Sequence, residues 1–511
     1  MGQSMKRVQI IFSDREWMKF FKKWMLVALV IHLVAAFFSV GFHHHDEHFQ
    51  IVEFINLKWG GNHAADLPWE FQDRMRPWLQ PLILYVFVLP WKMLGVENSY
   101  FYTTLFRLLS AILGWGSLVM TGLLSYQYFG KYPQWRDRCI KVLSLLWFLP
   151  YFHVRASGDN WGAIFFIMGI CFYLLQQKIS DSNRASLRHD LYHLVGTGIF
   201  FGLAFQFRFQ ICISIFFFTL WIMFFTKEKF KAPALIVLGF VLIALLGIWA
   251  DTWGYGSFTF SQWNYLYNDY KAHIASTILP NPWWDYFRFA LLRGIPPISL
   301  FLILGVVFFW IKKPKDPLTF ATLFFFVIHS AIAHKELRYL MPVIYLSPLM
   351  TMWALALLQE KQWLSPRLWK IVQVSLVAIN FVLLPAALLR PANSAASFYH
   401  YLETSYTSDG RELLIHHIGE NPFIMVGYPL KFYQRPNYKF EAFESVEDYA
   451  QKIATASGLL FTRTGKDFFK TKRLLGDRCR LLYSTYPGWL LNYNVGKWVE
   501  RSRMWALYDC H

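Results

Sequence analysis

The chain has 511 residues, of which 55% are hydrophobic, 20% aromatic and only 16% charged, with a formal net charge of +18. So few charged residues in so apolar a chain exclude a soluble protein of this size. The basic residues fall in short clusters between apolar runs, a pattern that orients membrane spans and does not build a nucleic-acid-binding face. The expected partner is membrane lipid, with no nucleic acid.

In chain order, Lys19, Lys22 and Lys23 precede the apolar run from Trp24 to Phe42. No small-residue cleavage site follows it and many more apolar runs come after, which predicts a retained first span with a cytoplasmic N-terminus. Further spans are predicted near 101–128, 140–152, 161–176, 191–206, 209–225, 233–250, 289–311, 318–334, 338–358 and 371–390, about eleven in all. The run "LQPLILYVFVLPWKMLG" at 79–95 is predicted to lie in the interface as a juxtamembrane helix. That placement alone puts Lys131, Arg136 and Arg138, then Lys178, Arg184 and Arg188, then "KEKFK", "KKPK" and "EKQWLSPRLWK" all on the cytoplasmic face, as charge asymmetry requires.

The outer side then receives the 43–100 loop, "HVRASGDN", the turn at Arg208, the 251–288 loop, the turn "HKELR" and everything after about residue 391. The predicted fold class is a polytopic α-helical membrane protein: residues 1–390 form the membrane domain, with a first outer loop at 43–100, and 391–511 form a small extracytoplasmic α+β domain. Strands are expected in "FIMVGYPLKFY", "GLLFTRTG" and "CRLLYSTYPGWLLNYNV". Cys139, Cys171 and Cys212 lie in or beside spans. Cys479 and Cys510 both fall in the outer domain, where an oxidising compartment would pair them and a reducing one would leave two thiols. The chain has no N-x-S/T sequon, which favours a bacterial inner membrane over the endoplasmic reticulum membrane.

Spans with few internal charges argue against an ion-coupled transporter, which needs ionisable residues and broken helices near the midplane. The charges sit instead at the outer ends: Asp46, Glu47, Arg155, Asp159, Arg208, His334, Lys335, Glu336 and Arg338. Such a set suits a lipid-linked phosphosugar. Displacement at an anomeric carbon needs a base for the acceptor hydroxyl, a role open to Asp46 or Glu47. It also needs cations at the departing phosphate, a role open to His334, Lys335 and Arg338. Each element has a plainer reading. "HHHDEH" offers zinc or manganese ligands without the H-x-x-x-H spacing that would fix a divalent metal, and it also reads as a solvated loop. The charges of "HKELR" read equally as residues snorkelling at span ends. In "NPWWDYFRF" the aromatic pair reads as an interfacial anchor and is given no catalytic role.

Taken together, these segments resemble a family. "HHHDEHFQ" is similar to the H-P-D-E-x-F-Q signature in the first outer loop of the membrane mannosyltransferases that build GPI anchors and N-glycan precursors, part of the glycosyltransferase-C superfamily. "AHKELRYLMP" resembles their H-K-E-x-R-F turn, with Tyr339 in place of Phe. "PWEFQDRMRPWLQP" resembles their W-E-(x)n-R-S-Y/W-L-x-P segment at Trp69, Glu70, Arg76, Leu79 and Pro81. "VRASGDNWGA" and "FQFRFQ" are similar to an R-T-x-x-N and an F-R-P-T element, covering Arg155, Asn160 and Arg208. The matches run in order across about the first 345 residues.

The resemblance implies a multi-spanning inverting transferase that takes a hexose, typically mannose, from a polyprenyl- or dolichyl-phosphate donor to a lipid-linked or glycan acceptor. It implies Asp46 as the base with Glu47 beside it, and His334, Lys335, Arg338 and Arg208 at the donor phosphate. Arg76, Arg155, Asn160 and Glu336 are then substrate-binding candidates, and no metal ligand is assigned. His44 and His45 around the usual H-P, and Phe209-Gln210 after Arg208, depart from the pattern and leave the acceptor open. Two other classes remain on the residues alone: a transporter or flippase of lipid-linked sugars, and a non-catalytic scaffold using its outer domain. The enzyme reading expects the acidic pair and the basic corner near residue 336 to meet in one cavity at the non-cytoplasmic leaflet.

Overall fold

Six helices among the described residues are long and apolar enough to cross a bilayer: Arg15–Phe38, Ser99–Tyr128, Gly158–Gln176, Lys231–Tyr255, Leu337–Glu360 and Pro366–Leu389. Five shorter apolar helices accompany them: Leu79–Met93, Leu191–Phe207, Phe209–Phe225, Ile298–Lys312 and Pro317–Ala331. The computed structural model describes residues 11–176, 191–227, 229–272, 280–363, 365–406, 412–452 and 458–511. The basic cluster at Lys178, Arg184 and Arg188 lies outside them, as does part of the 251–288 loop. Val374, Val377, Phe381 and Val382 are exposed on Pro366–Leu389, which suits a helix bathed in acyl chains. The protein is an integral membrane protein.

Two expected continuous spans are each broken into two helices. The run near 140–152 is two helices, Pro133–Leu145 and Phe148–His153, neither long enough to span. The chain opens at Leu146, whose backbone is extended. One side chain from Pro366–Leu389 takes up both freed backbone groups: Asn380 Nδ2 donates to the Leu145 carbonyl at 2.8 Å, and Asn380 Oδ1 accepts the Trp147 N–H at 3.0 Å. A break inside a membrane unit persists only when such partners are supplied. The run near 289–311 is likewise split into Asp285–Arg293 and Ile298–Lys312. Pro296 and Pro297 lie in the break; proline lacks an N–H and disfavours helical backbone in the residue before it.

The chain divides into two units. One comprises Met1–Phe38, Asp73–Phe87 and Leu105–Leu389; the other comprises Ser39–Gln72, Val88–Thr104 and Arg390–His511. In the first, Gly158–Gln176 and Met341–Glu360 are the most deeply buried helices, packing Phe166, Ile170, Leu346 and Leu349 into one apolar core with Phe201 and Phe218.

The second unit carries a five-stranded mixed sheet in the order β4-β1-β5-β7-β6, with β1 Leu413–Ile418, β4 Tyr438–Phe443, β5 Gly458–Thr462, β6 Cys479–Ser484 and β7 Ala506–Cys510. β1 runs parallel to β4 and β5, and β7 pairs antiparallel with β5 and β6. A two-stranded hairpin, β2 Ile424–Met425 with β3 Tyr428–Pro429, stands apart from the sheet. Ile418, Phe443, Tyr449, Leu460, Phe468 and Tyr508 form the core beneath the sheet. The small C-terminal α+β fold is as expected.

Cys479 and Cys510 stand opposite each other in the β6–β7 register and form a disulfide. The bridge closes a loop with a sequence separation of 31, so loop-closure entropy gives it about 3–4 kcal/mol of stabilisation. Reduction is expected to lower the unfolding midpoint of the C-terminal region by several degrees, read by following its tryptophan emission on heating with and without a thiol reductant. An unchanged midpoint would show that the sheet does not depend on the bridge.

Candidate active site

The acidic loop belongs to the second unit. Gly41 to His48 fold back on themselves: Glu47 Oε2 accepts the His43 N–H at 3.0 Å and the His44 ring accepts the Asp46 N–H at 3.2 Å. Glu47 is 5% exposed and Asp46 16%, so Glu47 closes the turn while Asp46 is the more accessible carboxylate. Both imidazoles flank Asp46 Oδ1, His44 Nδ1 at 3.4 Å and His45 Nε2 at 3.3 Å.

What fixes this loop is a buried hub one turn further on. Glu53 is 1% exposed and accepts from His48 Nε2 at 2.8 Å, Asn56 Nδ2 at 3.1 Å, Asn62 Nδ2 at 2.7 Å and the Phe432 N–H at 2.9 Å. Four donors compensate the desolvation of a carboxylate and tie the loop to the C-terminal segment. Gln50 Nε2 reaches Glu70 Oε2 at 2.9 Å, which brings the "DEHFQ" and "PWEF" segments together. Glu53→Ala strands these donors in a dry site and is expected to cost about 3–5 kcal/mol. Monodisperse yield and melting temperature in detergent check this; a wild-type melt would show that the hub is dispensable.

The basic cluster belongs to the first unit and is built by two helix breaks meeting a helix start. Leu191–Phe207 ends at Arg208, whose backbone is extended between that helix and a short 3-10 turn at Phe209–Ile211. Gly158–Gln176 starts beside it with Asp159 in its first turn, where a carboxylate complements the helix dipole. The approach depends on glycine. A Cβ on Gly158 would lie 2.5 Å from the Phe207 carbonyl oxygen, and one on Gly162 would lie 2.8 Å from Arg208 Cβ. The spacing is the small-x-x-x-small pattern of tightly packed membrane helices.

Asp159 Oδ1 lies 2.9 Å from Arg208 Nε, and Asp159 Oδ2 accepts from Arg338 Nη1 at 3.1 Å. Arg338 also binds Glu336, Nε to Oε2 at 2.6 Å and Nη2 to Oε1 at 3.3 Å. Glu336 Oε1 further meets His334 Nε2 at 3.0 Å and accepts from the Tyr339 hydroxyl at 3.1 Å. The Arg208 guanidinium lies over the Tyr339 ring, 4.8 Å from its centroid. The turn "HKELR" is thus a small ion network, with His334, Glu336, Arg338 and Arg208 in one chain of contacts.

Lys335 stands differently. It is 4% exposed, and its ammonium donates to the carbonyls of Ile332 at 2.6 Å and Asn281 at 3.0 Å. Among the described residues it has no ion pair. Burial lowers its pKa, and the charge of Asp285 works in the opposite direction. Asp285 is bound by Arg288 at 2.6 and 3.0 Å, and this pairing holds its carboxyl below the ordinary range, with Asn281 assisting.

Asn160, Arg155 and Arg76 complete the candidate set. Asn160 is fully buried, donating to the carbonyls of His153 at 3.2 Å and Arg155 at 2.7 Å and accepting from the Tyr345 hydroxyl at 2.7 Å. These bonds shape the turn that presents Asp159. Arg155 is 1% exposed, with Nε on the Tyr151 carbonyl at 3.1 Å. The Arg76 backbone is held on both sides by the Tyr255 hydroxyl, and its guanidinium lies over Tyr265, a ring that packs on Phe209 beside Arg208. The sequence places Asp159 among the outer charges without a role of its own, and gives no site role to Asn281 or Asp285. The one available signal was the "SGDN" and "NPWWD" acids standing beside breaks in apolar runs.

His44, His45 and Asp46 are also the three-donor group, among the described residues, whose ligand atoms lie within 4.8 Å of one another. His44 Nδ1 already accepts the Asp46 N–H, so a divalent metal bound through that nitrogen would compete with the cap that orders the loop.

A model of the Alg9-like mannosyltransferase family matches residues 23–428. GPI alpha-1,2-mannosyltransferase 3 of Xenopus laevis is 26% identical over 289 residues, covering 54% of this chain and 50% of the relative. GPI mannosyltransferase 3 of Candida albicans is 24% identical over 279 residues, covering 54% and 52%. The matches thus span about half the length of these relatives. ArnT of Cupriavidus metallidurans, in its structure bound to undecaprenyl phosphate, superposes with a TM-score of 0.54 over 97% of this chain and 98% of that one, at 14% identity. The Archaeoglobus fulgidus oligosaccharyltransferase, in complex with Zn and sulfate, gives 0.51 over 88% and 69% at 12% identity. At these identities the two structures speak to the fold alone.

Proposed function

We propose, from the premise that this chain belongs to the Alg9-like mannosyltransferase family, that it is an inverting transferase moving mannose from a polyprenyl- or dolichyl-phosphate donor to a lipid-linked or glycan acceptor. The reaction takes place on the periplasmic or lumenal side, in a bacterial inner membrane or, alternatively, the endoplasmic reticulum. The named activities of the relatives and the undecaprenyl phosphate carried by ArnT support the sugar and the donor class.

One observation carries the reading: the charge balance around the 334–338 turn. Arg208, Lys335 and Arg338 are set against Asp159 and Glu336, while Asp285 is matched by Arg288. Among these described residues one positive charge is in excess, and it sits on a buried lysine held by two carbonyls. A phosphate is the anion that completes such a group. The donor phosphodiester carries one negative charge and the departing polyprenyl phosphate gains a second as the sugar–oxygen bond breaks. The cluster therefore binds the leaving group more strongly than the ground state, which is the condition for acceleration.

On this reading the acceptor hydroxyl attacks the anomeric carbon from the face opposite the phosphate. Its proton passes to Asp46, the new glycosidic bond forms, and the electron pair of the broken bond goes to the phosphate oxygen. A single displacement inverts the anomeric centre. His44 and His45 flank the base and keep its carboxylate oriented. Glu47 holds the turn, and His334 with Glu336 keeps Arg338 in place.

The test supplies purified protein with polyprenyl-phosphate-linked mannose and a panel of lipid acceptors. A mass gain of one hexose in an acceptor is expected; no transfer from any prenyl donor would sink the proposal and favour a flippase.

A further inference from the structure

We infer that Asn281 is a positioning residue for Lys335, and that Asp285 braces it. The inference rests on the reading of Lys335 as a donor-phosphate ligand. Asn281 touches the 332–335 turn at three points and Asp285 at a fourth. Its N–H donates to the Ala333 carbonyl at 2.9 Å, and its carbonyl accepts from Lys335 Nζ at 3.0 Å. Its Oδ1 accepts the Lys335 N–H at 3.2 Å, and its Nδ2 donates to Asp285 Oδ2 at 2.9 Å. One residue thus fixes both the backbone and the ammonium of Lys335.

Bracing comes from the helix that follows. Asp285 opens Asp285–Arg293 and is 1% exposed, with Arg288 clamping both of its oxygens. The carboxylate therefore cannot turn to pair with Lys335 directly. Its negative charge still acts on the lysine but does not neutralise it by contact. Among the described residues two carbonyls take two of the ammonium's three donors. That remaining N–H is what a phosphate oxygen would accept. A lysine stem has four rotatable bonds, and misplacing a charged group by about 1 Å costs up to about 10²-fold in rate. A rigid tether on the lysine is thus worth building.

The experiment is a double-variant cycle in the full chain, with polyprenyl-phosphate-linked mannose as the donor and kcat and KM read separately. Asn281→Ala keeps both main-chain bonds but removes the side-chain bonds to the Lys335 N–H and to Asp285 that set where the main-chain carbonyl points, and it is expected to lower kcat/KM for the donor about tenfold while leaving the acceptor KM unchanged. Lys335→Met combined with Asn281→Ala should be no worse than Lys335→Met alone. A double variant whose loss is the product of the two single losses would overturn the inference. Where Asn281→Ala is not recovered as folded protein, Asp285→Asn enters the same cycle with the same criterion and a smaller single effect. A second readout does not depend on what Lys335 binds: its modification by an amine-directed reagent, followed by peptide mass spectrometry against the exposed Lys361. Asn281→Ala should speed Lys335 labelling severalfold relative to Lys361, and an unchanged rate would overturn the tether. If Lys335→Met leaves donor kinetics intact, it is the donor-phosphate reading that fails, and the labelling still decides the tether.

Discussion

Asp46→Asn is expected to lower turnover by about 10²–10⁴-fold, the usual contribution of a positioned general base, while donor affinity stays near wild type. The amide keeps the size of the carboxylate and can still meet the flanking imidazoles, so the loop should fold. It has no capacity to take the acceptor proton. Glu47→Gln should behave differently. Its oxygen still accepts the His43 N–H, and the loss is expected to fall on loop stability more than on chemistry. Steady-state kinetics with donor and acceptor varied independently separate the two. Equal losses in both variants would show that the carboxylates act as a pair and that the assignment of the base to Asp46 alone is wrong.

Lys335→Met is the second large effect. The methionine fills the stem's space but supplies no charge, and removing one donor aimed at developing negative charge costs about 10²–10³-fold in kcat. Because the phosphate gains charge as the bond breaks, the loss should appear mainly in kcat, with a lesser rise in donor KM. Arg338→Lys is instructive beside it. Lysine cannot span Glu336 with a planar fork and also reach Asp159, so that variant is expected to weaken the network itself and lower the melting temperature. If Lys335→Met raised only KM, the lysine would bind ground state and transition state alike.

Much of the arrangement is legible in the sequence because apolar runs and charged turns alternate plainly. The break at Arg208 and the "HKELR" turn lie where the runs stop. The "HHHDEH" loop is recognisable from its density of titratable groups. What the sequence hides is pairing between distant segments. Asp159 is one carboxylate in "SGDN", and nothing local says that it will join Arg208 to Arg338. Asn281 and Asp285 are masked by Pro282, Trp283 and Trp284, which read as an interfacial anchor.

The break at 140–152 has the same origin, whereas the break in 289–311 follows locally from Pro296 and Pro297. Asn380, 235 residues from Leu145, satisfies the opened backbone, and no local window on 140–152 reports it. In the C-terminal domain, β5 and β6 were visible as apolar pieces. β1 in "LLIHHI" was obscured by two histidines whose pKa values are lowered by burial, and β7 takes its place from pairing with β5 and β6 rather than from its own five residues.

The most direct measurement is a single turnover of the purified full chain on polyprenyl-phosphate-linked mannose, with hexosylated acceptor and freed polyprenyl phosphate quantified in the same sample. The account predicts equal amounts of both products with the wild-type chain and neither with Asp46→Asn, although that variant still binds the donor. Intact donor recovered on the opposite leaflet of vesicles, with no freed polyprenyl phosphate and no effect of Asp46→Asn, would contradict it.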